Sequence, residues 1–182
     1  MKLFKSKILT ILIVAIITAT LIFGVLINIK ISNRDDVYAS ITVDGIKRDF
    51  LIHIPRNYNS NEILPLIIAL HGGGGNAKDM EKLTEDGFNK LADKENFIVA
   101  YPNGIGRHWN DGRNLSFYYT QRENINDVKF ISELIDYMIK KYNVNSSRIY
   151  VTGMSNGALM TYRLAYELSN KIAAVAPVDG SI

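Results

Sequence analysis

The sequence predicts an α/β layered domain built on a mostly parallel sheet, preceded by a membrane-targeting segment. Three observations predict it. Apolar runs without alternation, suited to strands buried on both faces, recur at residues 64–70, 97–101, 149–152 and 172–178. Segments with helical spacing lie between them, so strand and helix alternate. One strand-to-helix junction, Arg148-Ile-Tyr-Val-Thr-Gly-Met-Ser-Asn-Gly157, carries G-x-S-x-G in the setting that presents a serine for attack.

The elements follow in order. Lys2, Lys5 and Lys7 precede an uncharged, almost wholly apolar run from Ile8 to Ile29. That length can cross a bilayer, and the basic start favours a cytoplasmic amino terminus. Residues 1–30 therefore read first as an uncleaved signal anchor and second as a cleaved signal peptide. In either case the rest of the chain lies outside the cytoplasm. Residues 31–39 read as a polar linker, and residues 40–182 as the domain. Ser40–Val43 and Ile46–Ile54 flank Asp44-Gly45, a two-residue hairpin signal, with His53 on the strand surface. After the 64–70 strand come four glycines and one helix through Met80, Phe88 and Leu91, weakened in its middle by Gly87. Residues 105–124 have no period and hold His108, Trp109 and the trio Phe117, Tyr118 and Tyr119. Irregular stretches of that length are more often functional than idle. Residues 126–142 form the clearest amphipathic helix, with Val128, Ile131, Leu134 or Ile135, Met138 and Tyr142 as its apolar stripe. Asn124 is its expected cap, and Asp127 belongs to its first turn.

Charge excludes some functions. The whole chain has a formal net charge of +3, but residues 1–35 hold five basic residues and one acidic residue, leaving 16 basic and 17 acidic beyond them. The basicity belongs to the targeting segment, and nothing resembles a nucleic-acid surface. With no cysteine there is no disulfide, thiol nucleophile or cysteine metal site. No cluster suggests a catalytic metal, and no cofactor is required.

The chemistry centres on two glycine motifs. Gly153 and Gly157 allow the backbone to turn tightly, which leaves Ser155 exposed as a nucleophile. His71-Gly72-Gly73-Gly74-Gly75 ends a strand and opens a helix. Its backbone N–H groups can face the oxyanion that forms during acyl transfer. Gly73 and Asn156 are the expected donors, with Gly72 and Gly74 as alternatives to Gly73. A phosphate loop would need Lys followed by Ser or Thr at its end, and Lys78-Asp79 does not supply that. His71 is expected to shape the turn. Trp109 and His108 are the expected substrate contacts. None of the three histidines follows Ser155, so a serine, acid, histidine order is not completed within residues 1–182.

Taken together, these residues resemble an extracellular esterase family that includes polyhydroxybutyrate depolymerases, feruloyl esterases and acetylxylan esterases. The resemblance rests on Pro65-Leu66, Leu70-His71-Gly72-Gly73, the 97–104 strand and turn, and Trp109. It continues through Asn126-Asp127-Val128, the residues from Arg148 to Met160, and Ala176-Pro177-Val178. It implies an α/β-hydrolase-like three-layer sandwich, carboxy-terminally incomplete in these 182 residues, with the acid and histidine falling beyond residue 182. It implies hydrolysis of polyhydroxyalkanoate-like, hydroxycinnamoyl or acetyl esters through an acyl-enzyme on Ser155. The expected partners are an ester substrate, possibly polymeric, and the membrane through residues 8–29 if that segment is uncleaved. A non-catalytic binding remnant of the same fold and a related serine peptidase are the alternatives.

Overall fold

The computed structural model of the protein describes residues 36–181. The anchor or signal expected at residues 8–29 lies outside the described residues. Among the described residues, no helix is long and apolar enough to cross a membrane.

Six strands form one sheet in the order β1-β2-β4-β3-β5-β6. Their ranges are β1 Asp36–Val43, β2 Ile46–His53, β3 Leu64–Leu70, β4 Ile98–Pro102, β5 Val144–Met154 and β6 Ala174–Val178. β1 and β2 form an antiparallel hairpin, and β2 pairs antiparallel with β4. The remaining pairs, β4 with β3, β3 with β5 and β5 with β6, are parallel. The hairpin turns at Asp44 (φ 49°) and Gly45 (φ 78°), the two positive φ angles of the turn that matches strand twist. β1 starts earlier than the sequence suggests. Asp36 to Ala39 pair with His53 to Phe50, so they are sheet and not linker.

The helices are α1 Ala77–Leu83, α2 Gly87–Glu95, α3 Tyr119–Arg122, α4 Asp127–Tyr142 and α5 Asn156–Glu167. Residues Phe50, Ile52, Leu66, Ile68, Ile149 and Val151 meet α4 and α5 on one face of the sheet. Leu51, Ala69, Val99 and Tyr101 meet Ala77, Met80 and Ala92 of α1 and α2 on the other. The single helix expected over Met80 to Leu91 is two, because Glu85 (φ 52°) and Asp86 (φ 57°) are left-handed and break the run just before Gly87. Leu83 and Leu91 are consequently half exposed. The α4 stripe is buried as its spacing predicts, but its cap is Asn126, whose side chain accepts from the Lys129 N–H at 3.0 Å.

His53 is not on the surface. It is buried between Asp36 (Nδ1 to Oδ1, 3.0 Å) and Asp93 (Nε2 to Oδ1, 3.1 Å), which ties β1 and β2 to α2. Lys78 also pairs with Asp36, and Arg56 with Asp93. Burial alone would lower the His53 pKa, but hydrogen bonds to the two carboxylates outweigh it and raise the value above 6.5. The hydrogen bond to His53 leads in holding Asp36 down at about 2, against an ordinary value of 3.8 and against its own burial. The histidine therefore stabilises the fold fully below pH 6.5 and loses that contribution as pH rises through its elevated folded value. Asp36 contributes above 3.8 and loses its contribution as pH falls toward 2. The stability difference between the native protein and His53→Gln, from urea titrations at a series of pH values, should peak between pH 3.8 and 6.5. It should shrink on the alkaline side.

Candidate active site

The parallel strands β3 and β5 end side by side, and each continues into one of the glycine motifs. β5 turns into α5 through Ser155, whose φ of 52° and ψ of −115° are strained for any residue with a side chain. Two hydrogen bonds hold the turn: Ser155 N–H donates to Val178 O at 3.0 Å, and Leu159 N–H donates to Ser155 O at 3.1 Å. The flanking glycines are required by close approach. A Cβ on Gly157 would lie 2.5 Å from the Leu70 carbonyl oxygen and 2.6 Å from that of His71. A Cβ on Gly153 would lie 2.9 Å from Thr161 Oγ1. The elbow is thus pressed against the end of β3, with Ser155 exposed and Asn156 at the helix start.

The glycine turn after β3 is built on His71, which is buried. Gly104 N–H donates to its Nε2 at 3.0 Å, so the proton sits on Nδ1, which donates to Gly72 O at 2.7 Å. Burial holds its pKa below the ordinary value, which suits this neutral tautomer. Gly74 N–H is committed to Arg107 O at 2.8 Å, and Gly75 N–H to Gly72 O at 3.0 Å. Those bonds leave the Gly74 and Gly75 N–H groups already engaged within the protein. A Cβ on Gly72 would touch Met154 and reach 3.7 Å from Ser155 Cβ, so the turn runs beside the serine.

Gly73, Ser155 and Asn156 share one cavity of about 370 Å³ with His108, Arg113 and Tyr118. His108 stacks on Tyr118 at 4.0 Å between ring centroids, and its Nε2 lies 2.7 Å from where a Gly73 Cβ would be. It therefore lines the same cavity as Ser155. Trp109 does not. Its ring is fully buried, 4.8 Å from the His71 ring, and its indole N–H donates to His71 O at 2.8 Å. The loop folds back under the glycine turn, so Trp109 supports the site from beneath and offers no surface to a substrate.

The sequence does not disclose the polar network that holds this loop. The Trp109 backbone N–H donates to Asn156 Oδ1 at 2.8 Å, and Asn156 Nδ2 donates to Trp109 O at 3.2 Å and to Asp111 Oδ2 at 2.6 Å. Asp111 is buried and also accepts from Gln121 Nε2 at 3.0 Å and from Arg113 Nη2 at 2.7 Å. Deeper still, Asn110 N–H donates to Asp127 Oδ2 at 2.7 Å, and Arg48 Nη2 donates to Asp127 Oδ1 at 2.5 Å. Asp127 is therefore more than a first-turn helix residue: it is fully buried and joins β2, the loop and α4. The signal available in the sequence is the polar cluster Asn110-Asp111-Gly112-Arg113 beside a tryptophan, but polarity alone does not reveal burial. Among the described residues, no group of three or more histidine, aspartate or glutamate side chains is placed to hold a metal ion.

Comparison with known proteins adds an independent line. The family described as Esterase PHB depolymerase matches residues 48–182. A bifunctional acetylxylan esterase/xylanase of Neocallimastix patriciarum is 35% identical over 136 residues, covering 75% of this chain and 18% of that protein. Poly(3-hydroxyalkanoate) depolymerase C of Paucimonas lemoignei is 30% identical over 132 residues, covering 70% of this chain and 30% of that protein. The chain thus spans less than a third of the length of these two relatives. The solved acetyl xylan esterase from Aspergillus awamori superposes with a TM-score of 0.61 at 22% identity, over 79% of this chain and 53% of the other, which supports an α/β-hydrolase-like fold.

Proposed function

The chain belongs to the Esterase PHB depolymerase family, and from that premise we propose that it is the serine-bearing part of an extracytoplasmic carboxylic-ester hydrolase. One observation carries the reading. Ser155 stands exposed in a strained elbow, in the same cavity as Gly73 and Asn156. In this mechanism a histidine takes the Ser155 Oγ proton as the oxygen attacks the ester carbonyl. The Gly73 and Asn156 N–H groups receive the oxyanion. The alcohol leaves with the transferred proton, and water then releases the acid from the acyl-enzyme.

His53, His71 and His108 are not assigned this base role. His53 and His71 are buried with both ring nitrogens engaged. His108 stacks on Tyr118 at the Gly73 side of the cleft, where it contacts substrate. The substrates are acetylated xylan, hydroxycinnamoyl polysaccharide esters or polyhydroxyalkanoates, the first and last being named by the relatives. A product assay on the native protein, including any sequence after Ile182, tests this. Acetate, a hydroxycinnamic acid or 3-hydroxybutyrate should be released from the matching polymer. Release of none of them, with peptides cleaved instead, would sink the esterase reading.

A further inference from the structure

We propose that Arg113 forms a carboxylate-recognising subsite beside Ser155, so that the cleft favours esters whose acyl or alcohol part carries a carboxylate. The inference rests on the Ser155 cavity being the ester site. Of the residues lining that cavity of about 370 Å³, Arg113 bears the one permanent charge, and no carboxylate lines it. The Arg113 side chain is 43% exposed, while that of Asp111 behind it is 0% exposed.

The guanidinium is oriented in advance. Asp111 receives Nε at 3.1 Å and Nη2 at 2.7 Å. Binding through that edge of the planar fork turns the Nη1 edge away from Asp111. Asp111 also accepts from Gln121 Nε2 at 3.0 Å, Asn156 Nδ2 at 2.6 Å and the Arg113 backbone N–H at 3.1 Å, so it is fixed in place; the pair is neutral overall, and what Arg113 offers the cavity is its remaining guanidinium N–H donors. An adjoining cavity of about 650 Å³ continues past Arg113 along Tyr162 and Arg163. Arg163 is balanced locally, by Glu167 at 2.6 Å and by Asn110 O at 2.8 Å. Asp111 and Glu167 also line that second cavity, each paired with its arginine, and Arg113 is the arginine that lines both cavities. A substrate carboxylate can come from two sources: the acid end of a hydroxyacid oligomer, or a uronate unit of a polysaccharide.

Binding, not turnover, gives the test. The native protein carrying Ser155→Ala is titrated calorimetrically with the 3-hydroxybutyrate dimer acid and with its methyl ester. O-acetylglucuronic acid and its methyl ester form the second pair. At least one acid should bind about tenfold or more tightly than its ester, and the pair showing this identifies the source. Adding Arg113→Gln should bring the ratio close to one, and Arg113→Lys should leave an intermediate ratio. Raising the salt to about 0.5 M should narrow the difference in the Arg113 protein. Ratios below about twofold for both pairs would overturn the proposal. So would a tenfold ratio that survives Arg113→Gln in protein shown to be folded by circular dichroism. If Arg113→Gln does not fold, an undiminished ratio in Arg113→Lys at high salt overturns it instead. A preference for acids without Ser155-dependent hydrolysis would keep this inference and sink the esterase reading; the reverse result would sink this inference alone.

Discussion

Ser155→Gly should yield a protein that is inert toward esters and yet more stable than the native one. The two effects have one cause. Ser155 is held at φ 52° and ψ −115°, a conformation that costs a residue with a Cβ roughly 1–3 kcal/mol. Glycine relieves that cost and adds about 0.5–1 kcal/mol of unfolded-state entropy to be lost on folding. Relief of strain outweighs the added entropy, so the expected net gain is about 1 kcal/mol, or about 2–4 °C in Tm for a domain of this size. If Ser155 Oγ is the oxygen that takes the acyl group, as proposed, removing it should lower kcat by about 10⁴-fold or more. Calorimetric melting and an aryl-ester assay on the same preparation check both. A lower Tm would show that the hydroxyl, and not the backbone, governs this position.

Asp127→Ala should cost about 3–5 kcal/mol, a large share of the roughly 5–15 kcal/mol typical of a folded domain. The Arg48 side chain is 2% exposed, lies against the Phe130 ring at 4.0 Å and loses its ion-pair partner in this variant. Burial pushes the Asp127 pKa up while the Arg48 charge pulls the other way, so the pair itself contributes little net stability. The penalty comes from breaking it on one side only. Removing both charges together, as Arg48→Met with Asp127→Leu, should therefore be much closer to neutral. Because Asp127 also anchors the Asn110 N–H, the single variant should loosen the loop that carries His108 and Arg113 and raise KM more than it lowers kcat. Urea titrations of the single and double variants check the stability claim. Equal losses in the two would contradict it.

Local signals are legible in the sequence where one short stretch decides the outcome. Asp44-Gly45 specifies its turn without help from elsewhere, and the α4 stripe needs only its own period. The elbow glycines are legible because close approach admits no other residue, as the 2.5 Å distance from a Gly157 Cβ to Leu70 O shows, and in the His71 turn Gly74 takes a left-handed φ of 77° that favours glycine. What is not legible depends on partners distant in sequence. His53 reads as a surface residue until Asp36 and Asp93 close on it. Trp109 reads as a cleft aromatic until its loop folds beneath the glycine turn. Asp111 carries no local mark of its bond to Asn156, which lies 45 residues away. The helix break at Glu85 and Asp86 is half legible: Gly87 signals weakness, but the left-handed pair before it makes the break.

If Ser155 is the nucleophile of an esterase, the acyl group of its substrate must pass through a covalent bond to Ser155 Oγ, and that bond can be trapped. The native protein is mixed with an aryl ester whose acyl group leaves slowly, quenched in acid, digested and mapped by mass spectrometry. The acyl group should be found on the peptide carrying Ser155, at close to one equivalent in the steady state. Steady hydrolysis with Ser155 unmodified and the acyl group on another residue would contradict the account.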